Sequence, residues 1–522
     1  MLKKPISHPK LPVPPLIPLY KPVFFAASGI PNYREAEKTY EVYSDMNSLI
    51  VRKPHRFYPD RWVYHSPGFG DKGQKALPIH LPQPSKQIKN NKPIAMNNAI
   101  LDVIVVGAGH AGLSASYYLK NFGLNHLVFE RGKAGESWRS QRWNSFMLNS
   151  PNKLNTLPGD HTGNDPDGFS SSHQYVSSLE DYITTFQLPV LENTLVLSIE
   201  KDEINGIFNV TTSQHNRTGR YQARQVIIAS GSMNERVFPW FAGNMSPAIQ
   251  QLHGAEYRHP SQLAEGAVLV AGSGQSGCQI AADLAAGGRK VYLSTSMVPR
   301  VPRRYRGRDI MDWLIPMNFF EARKEDIKDP VMLNMKVPHL TGVDGGQRTI
   351  SLQSLAKQGI TILGKIKEAD GKQMTLLPNA AMHIQFADGF SQKVKEMIDG
   401  FIIQNQIGAP LPEKDEEDMP DKEAAFASSI TSLNLAEHNI RSVIWTTGFK
   451  ANFSYIKLPV FDSERNPKHR DGVADTGGLY FLGLSWLRKR KSVTLVGIKE
   501  DAAFIAEKAH SYCKKNRVKR AS

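Results

Sequence analysis

Two glycine-rich hexapeptides carry the clearest chemical signal in this 522-residue sequence. Both have the form G-x-G-x-x-G, the first at residues 107–112 and the second at residues 272–277. In such a turn the first glycine makes a tight bend, the second lets the backbone approach a pyrophosphate, and the third lets a helix pack closely on a strand. The N-terminus of that helix attracts the phosphate charge. We therefore predict two dinucleotide-binding sites in one chain.

A glycine hexapeptide alone is weak evidence, and the elements around it decide how it is interpreted. Each hexapeptide here follows a short apolar run and opens a helix-like stretch, which a second apolar run follows in turn. This order predicts two β-turn-α-β units of about thirty residues each. The residues expected to contact the dinucleotides are Gly107, Gly109, His110, Ala111 and Gly112 in the first unit, and Gly272, Gly274, Gln275, Ser276 and Gly277 in the second.

The residue that ends the second predicted strand differs between the two units. Counting twenty-three residues from the first glycine reaches Glu130, followed by Arg131, in the first unit, and Thr295 in the second. A carboxylate at this position can accept ribose hydroxyls, whereas it would repel the 2′-phosphate of NADPH. Thr295 is neutral, and Arg300 and Arg303 follow it, with guanidinium groups suited to phosphate. The second unit is therefore predicted to prefer NADPH over NADH.

Composition excludes several other classes of protein. There are two cysteines, Cys278 and Cys513, so no C-x-x-C dithiol and no cysteine-rich metal site is available, and we expect no metal. The net charge of +15 does not require nucleic acid as a partner, because dinucleotides are themselves polyanions. No apolar stretch approaches the ~20 residues of a membrane-spanning helix. Five prolines break the apolar segment 11–30 as a signal-peptide core, so a cytoplasmic protein is expected.

The first 95 residues form a separate extension in composition. They hold fifteen Lys or Arg against six Asp or Glu, and fifteen of the thirty-three prolines. Such a basic, proline-rich segment is typical of a polyproline-like region followed by a linker. No function for it can be inferred from its residues.

The order of short motifs along residues 100–512 resembles that of the flavin-containing monooxygenase group, the group B flavoprotein monooxygenases. That group includes the plant indole-pyruvate monooxygenases and the Baeyer–Villiger oxygenases. The motifs that carry the resemblance are GAGHAG, FE, GESW, LNSPNK, HGAEY, GSGQSG, TTGF and GLYFLGL. The resemblance implies FAD at the first glycine turn and NADPH at the second, with Trp138 in a segment that lies along the flavin.

The resemblance also implies two catalytic residues. Asn149 matches an asparagine that sits over the flavin, where an amide can hydrogen-bond a developing peroxide oxygen. His253 and Tyr257 match the end of the family's H-x-x-x-Y fingerprint, although Pro247 and Ile249 stand where its phenylalanine and glycine would be. An ordinary loop asparagine and a structural histidine remain the alternatives for Asn149 and His253.

The predicted fold class is α/β, with an FAD domain interrupted by an NADPH domain, both Rossmann-like. We expect the FAD domain at 97–235 and 430–513, the NADPH domain at 236–429 and a basic tail at 514–522. The predicted reaction is insertion of one oxygen atom from O2 into a small organic substrate through a C4a-(hydro)peroxyflavin. A flavin oxidoreductase with another electron acceptor, and a nucleotide-sensing subunit of a transport or regulatory complex, are the alternatives. The sequence allows a homo-oligomer and does not identify the substrate.

Overall fold

A computed structural model describes residues 99–161, 163–328, 348–419 and 429–521 of the chain, without the side chains of 517–521. The N-terminal extension and the linker predicted within it lie outside the described residues. No helix in the described ranges is both long and apolar enough to cross a membrane. The α-helices of these ranges are α1 (His110–Asn121), α2 (Glu136–Ser140), α3 (Ser172–Thr185), α4 (Gln275–Ala286), α5 (Ile310–Leu314), α6 (Leu352–Lys357), α7 (Ala380–Gln404) and α8 (Leu495–Ala521).

The strands of the described residues assemble into one mostly parallel sheet, one entirely parallel sheet and several small antiparallel sheets. In chain order the strands are β1 (Val103–Val106), β2 (His126–Phe129), β3 (Val190–Leu191), β4 (Thr194–Asp202), β5 (Ile207–Gln214), β6 (Arg217–Ala223), β7 (Val226–Ile228), β8 (Glu235–Arg236), β9 (Gln250–His253), β10 (Ala267–Ala271), β11 (Val291–Ser294), β12 (Arg304–Tyr305), β13 (Arg308–Asp309), β14 (Thr361–Leu363), β15 (Ile366–Asp370), β16 (Gln373–Leu376), β17 (Ser432–Asn434), β18 (Ile440–Trp445), β19 (Phe449–Lys450), β20 (His469–Arg470), β21 (Val473–Ala474) and β22 (Leu479–Phe481).

The first sheet has the strand order β20-β21-β22-β7-β1-β2-β3. Strands β22, β7, β1, β2 and β3 run parallel, and α1 connects β1 to β2. All four side chains of β1 are buried, as expected for the central strand of a sheet that is covered on both faces. The C-terminal helix α8 packs against α1. Strands β4, β5 and β6 form a separate antiparallel meander between β3 and β7.

The second sheet has the order β14-β11-β10-β18-β9, and all its pairings are parallel. Helix α4 connects β10 to β11 in the way that α1 connects β1 to β2. The largest cluster of buried apolar residues contains Leu113 of the first unit and Ile280 of the second, so the two units share one core. The predicted α/β class with two Rossmann-like units is confirmed.

Two predicted boundaries need correction. Strand β18 lies between β10 and β9 in the second sheet, and β17 pairs with β16, so residues 430–445 belong to the second unit and not to the first. The first unit resumes after β19, which pairs with β8 where the chain leaves the first unit. At the C-terminus, α8 continues to Ala521, so the residues predicted as a tail are helical up to that point.

Candidate functional site

The three glycines of the first turn meet three different steric situations. Gly107 has a φ of +105°, and a Cβ there would lie 2.6 Å from the carbonyl oxygen of Ala229. A Cβ on Gly112 would overlap the carbonyl oxygen of Gly107. At Gly109, by contrast, a Cβ would meet nothing within 4 Å. The outer glycines are therefore required by the fold, and the middle one borders open space at the N-terminus of α1.

The second turn repeats this pattern position by position. Gly272 has a φ of +113°, and a Cβ on it would lie 2.9 Å from the carbonyl oxygen of Thr446. A Cβ on Gly277 would overlap the carbonyl oxygen of Gly272, and one on Gly274 would meet nothing within 4 Å. Both helices thus begin at a glycine without a side-chain cap, next to space that a phosphate group fits.

The remaining residues of both turns lie at the helix starts. His110 and Gln275 are half-buried, Ala111 is buried and Ser276 is exposed. Burial lowers the pKa of His110 to about 4, so its imidazole is neutral at ordinary pH.

Glu130 occupies the predicted position at the end of β2. Its carboxylate accepts hydrogen bonds from the backbone N–H groups of Ala108, at 2.8 Å, and Gly132, at 3.1 Å. Burial raises the pKa of Glu130, and these two N–H groups oppose that rise because they stabilise the anion. The acid is therefore tied directly to the glycine turn, while the neighbouring Arg131 is exposed.

Thr295 is the structural counterpart of Glu130. Val106 pairs with Phe129 in the first sheet and Ala271 pairs with Ser294 in the second, so Glu130 and Thr295 each follow the equivalent strand residue. Thr295 is buried, however, and its hydroxyl donates to the carbonyl of Leu363 at 2.7 Å and lies 2.9 Å from Nδ1 of His383. A neutral residue thus occupies the predicted position, and its side chain makes its hydrogen bonds in the protein interior.

Arg300 and Arg303 have different surroundings from those we predicted. Both are almost completely buried. Arg300 forms ion pairs with Asp388, at 2.6 Å, and with Asp418, and Arg303 pairs with Asp309. Buried guanidinium groups are costly unless acids neutralise them, and these acids do so. Both guanidinium groups, predicted as ligands of a 2′-phosphate, are thus engaged in interior ion pairs. Phosphate binding by them stays a prediction, and this geometry does not favour it.

Trp138 lies beside the first glycine turn, because the N–H of Gly135 at the start of α2 donates to the carbonyl of Ala108 at 3.0 Å. Its ring packs edge-on against Tyr175 at 5.2 Å, and the guanidinium of Arg142 lies 4.8 Å above it. Among the described residues, eleven buried side-chain polar atoms have no hydrogen-bond partner, and four of them belong to this part of the first unit. These four are His110 Nε2, Gln141 Oε1, Trp143 Nε1 and the Tyr175 hydroxyl.

Buried polar atoms without a partner are uncommon in folded proteins unless a ligand or a water molecule forms the missing hydrogen bond. Together with the open space at Gly109, they fit a polar cofactor on the first unit. Arg142 and Tyr175 were not identified from the sequence, because no motif includes them.

Asn149 lies where the two units meet. Its side-chain oxygen accepts a hydrogen bond from Gln279 of α4 at 3.2 Å, and its backbone carbonyl accepts one from Arg303 at 2.9 Å. The structure thus brings the predicted catalytic asparagine next to the second unit. Gln279 was missed at the sequence level, although it stands only two residues after the second glycine turn.

His253 does not fit a catalytic role. It is 2% exposed, its Nε2 lies 3.0 Å from the carbonyl oxygen of Gly448, and its Nδ1 accepts the N–H of Ala255. Burial lowers its pKa, and Phe449 packs edge-on against the ring at 4.8 Å. Nε2 therefore links the end of β9 to Gly448, and Nδ1 holds the turn that follows β9, so the structural alternative is favoured.

Known proteins resemble this chain over its globular part. A sequence profile described as pyridine nucleotide-disulphide oxidoreductase matches residues 104–328. An uncharacterized CzcO-like oxidoreductase of Geobacillus kaustophilus (strain HTA426) is 31% identical over 409 residues, which make up 78% of this chain and 97% of that protein. A probable indole-3-pyruvate monooxygenase of Arabidopsis thaliana, YUCCA8, is 24% identical over 341 residues, 59% of this chain and 78% of that protein.

One solved structure shows the same fold. A flavin-containing monooxygenase from Stenotrophomonas maltophilia matches with a TM-score of 0.52 at 20% identity, over 79% of this chain and 99% of that one. Its fold and the two glycine turns agree in placing two dinucleotide-binding units in the chain. Since the bacterial relative is matched over nearly its whole length, the chain belongs to the CzcO-like family of oxidoreductases.

Proposed function

We propose that the chain is an FAD-dependent, NADPH-using monooxygenase that transfers one oxygen atom from O2 to a small organic substrate. The observation that carries this proposal is the meeting of the two units at Asn149, with an open glycine turn on each. FAD and NADPH are its cofactors. When bound, NADPH supplies a hydride to FAD, and reduced FAD supplies the reaction with dioxygen.

The first unit offers what FAD binding needs from the protein. The open space at Gly109 admits a pyrophosphate to the N-terminus of α1. Each carboxylate oxygen of Glu130 accepts one backbone N–H and retains capacity for a further hydrogen bond, which a ribose hydroxyl can donate. Trp138 and the Tyr175 ring that packs against it lie beside the turn, where they would limit the access of water to a bound cofactor.

The second unit offers a phosphate cradle without a competing charge. Gly274 borders open space as Gly109 does, and Thr295 places no carboxylate at the position that Glu130 holds in the first unit. A 2′-phosphate therefore meets no anion there, which favours NADPH. Supply of NADPH in the cytoplasm places the enzyme there in this proposal.

The amide of Asn149 is the catalytic group that we assign. Its Nδ2 donates to no acceptor among the described residues, so we assign it as the hydrogen-bond donor for the reacting oxygen. Hydrogen-bond donors aimed at developing negative charge are among the strongest catalytic devices of proteins. The oxygenation mechanism predicted from the sequence is part of this proposal, and the substrate is a small molecule of unidentified class.

Rapid mixing of the reduced protein with air-saturated buffer tests the proposal. A monooxygenase should show an absorbance species, distinct from reduced and oxidised flavin, that decays before oxidised flavin returns. Direct reoxidation with one hydrogen peroxide released per NADPH would contradict oxygenation and favour a reductase. Binding of both dinucleotides without NADPH turnover would instead indicate a nucleotide sensor.

A further inference from the structure

Two side chains from the second unit hold Asn149 at two separate points. Gln279 is 2% exposed, and its Nε2 donates to Oδ1 of Asn149 at 3.2 Å. Because Oδ1 of Asn149 faces Gln279, the Nδ2 group of the same amide is turned away from this partner, and Oδ1 keeps one further lone pair. The direction of this hydrogen bond therefore fixes how the Asn149 amide is oriented toward a ligand.

Arg303 restrains the backbone of the same residue. Its Nη1 donates to the carbonyl oxygen of Asn149 at 2.9 Å, and its Nε donates to Asp309 at 2.9 Å. The guanidinium also lies 4.8 Å from the ring centre of Phe169. A buried guanidinium that is held by an acid and by an aromatic ring has little freedom, so the carbonyl that it binds is held too.

We propose that Gln279 and Arg303 are positioning residues that orient the Asn149 amide with its N–H donor toward the reacting oxygen. This inference rests on the proposed function. It assigns Arg303 a role in place of the phosphate binding predicted from the sequence. It also links the nicotinamide unit to the catalytic group, because Gln279 lies on the helix that begins at the second glycine turn.

The variant Gln279→Glu tests the orientation of the amide without changing the size of the side chain. An ionised carboxylate can only accept, so it draws the Nδ2 group of Asn149 toward itself and turns Oδ1 to the site. A neutral carboxylic acid can donate as glutamine does. Since burial raises the pKa of a carboxyl group, the variant should behave like the wild type at low pH and lose function as pH rises.

The measurement is the lifetime of the absorbance species after reduced protein is mixed with dioxygen, followed across pH. At high pH we expect Gln279→Glu to shorten this lifetime about tenfold, and Asn149→Ala about 100-fold, the order found when an oxyanion donor is removed. Adding Gln279→Glu to Asn149→Ala should have no further effect, since residues that act through one another are not additive. FAD content and the thermal midpoint serve as readouts of folding.

A matched control exists on the outer meander. Gln222 donates from Nε2 to Oδ1 of Asn209 at 2.9 Å, which is the same amide pair on an exposed surface. Gln222→Glu should leave the lifetime and its pH profile unchanged. If Gln279→Glu does not fold, Gln279→Met removes the amide without adding charge, and it should shorten the lifetime in the same direction at every pH.

Three results would overturn the inference. The first is a lifetime in Gln279→Glu or Gln279→Met equal to that of the control while Asn149→Ala shortens it, which leaves the proposed function intact. The second is an equal effect of Gln279→Glu with and without Asn149. The third is a wild-type protein that shows no such absorbance species, and that result would overturn the proposed function as well.

Discussion

The two glycine turns share one backbone and differ in the side chain that faces it. In both, the outer glycines are enforced by nearby carbonyl oxygens and the middle one borders open space. In the first unit Glu130 bonds the turn itself, whereas in the second Thr295 turns inward to Leu363. In the proposed function, the backbone would therefore provide the phosphate site in each unit, and a single neighbouring residue would set the charge that the rest of the dinucleotide meets.

The largest effect should come from filling an outer glycine. Gly112→Ala and Gly277→Ala would each place a Cβ in overlap with a backbone carbonyl oxygen, so the backbone would have to shift. We expect each change to lower the free energy of unfolding by about 4 kcal/mol, in the exceptional range for one substitution. Urea titration followed by circular dichroism measures it. Two variants with wild-type midpoints would show that the third glycine is not a packing requirement.

Arg300→Met should also act on stability more than on cofactor choice. It removes the buried cation that Asp388 and Asp418 share, and Asp418 then keeps its ion pair with Lys395, so we expect a loss of about 3 kcal/mol. Michaelis constants for NADPH and NADH should change by the same factor. A larger rise in the Michaelis constant for NADPH than for NADH would instead support Arg300 as a ligand of the 2′-phosphate. Arg300 would then be a second residue, besides Thr295, that distinguishes the second unit from the first.

Substitution of the middle glycine in each turn should weaken the binding of one cofactor and leave the other bound. Gly109→Ala introduces a methyl group into open space, so the protein should fold but bind FAD about 100-fold more weakly, as expected when one hydrogen bond of about 1.5–3 kcal/mol to a charged group is lost. Gly274→Ala should keep FAD and raise the Michaelis constant for NADPH. Flavin absorbance per mole of purified protein measures the first effect. Retention of stoichiometric FAD by Gly109→Ala would count against FAD binding at the first glycine turn.

The smallest effect should come from the acid itself. The pKa of Glu130 is raised by burial, so acidification protonates it earlier than an exposed glutamate and removes an acceptor for the ribose. FAD affinity should therefore fall as pH drops toward that raised pKa. Glu130→Gln should weaken binding about tenfold, the value of one hydrogen bond, and remove this pH dependence. Fluorescence titration of released flavin checks both; an unchanged pH profile would exclude Glu130 as the titrating group.

Local features of this molecule could be predicted from the sequence. The two turns, their flanking strands and the equivalence of Glu130 with Thr295 all follow from glycine spacing and apolar runs, because neighbouring residues determine them. The position of β18 could not be predicted in this way. A short apolar strand fits either sheet, and only the assembled fold places it between β10 and β9.

Polar contacts between residues that are distant in the chain could not be predicted from the sequence either. Arg300 meets Asp388 across 88 residues, and Asn149 meets Gln279 across 130. An arginine near a nucleotide motif looks the same in the sequence whether an acid or a phosphate neutralises it. Burial decides between the two, and burial depends on elements that are distant in the chain.

The pairing of β8 with β19 has a consequence for how the molecule can be divided. The chain leaves the first unit at Glu235 and returns at Lys450, and these two residues are partners in one antiparallel ribbon. The second unit therefore begins and ends at adjacent positions, as an insertion in the first unit. Exchange of this insertion between homologues, with both joints inside the ribbon, would need no new linker, but it would have to keep the core that the two units share and the contacts of Gln279 and Arg303 with Asn149.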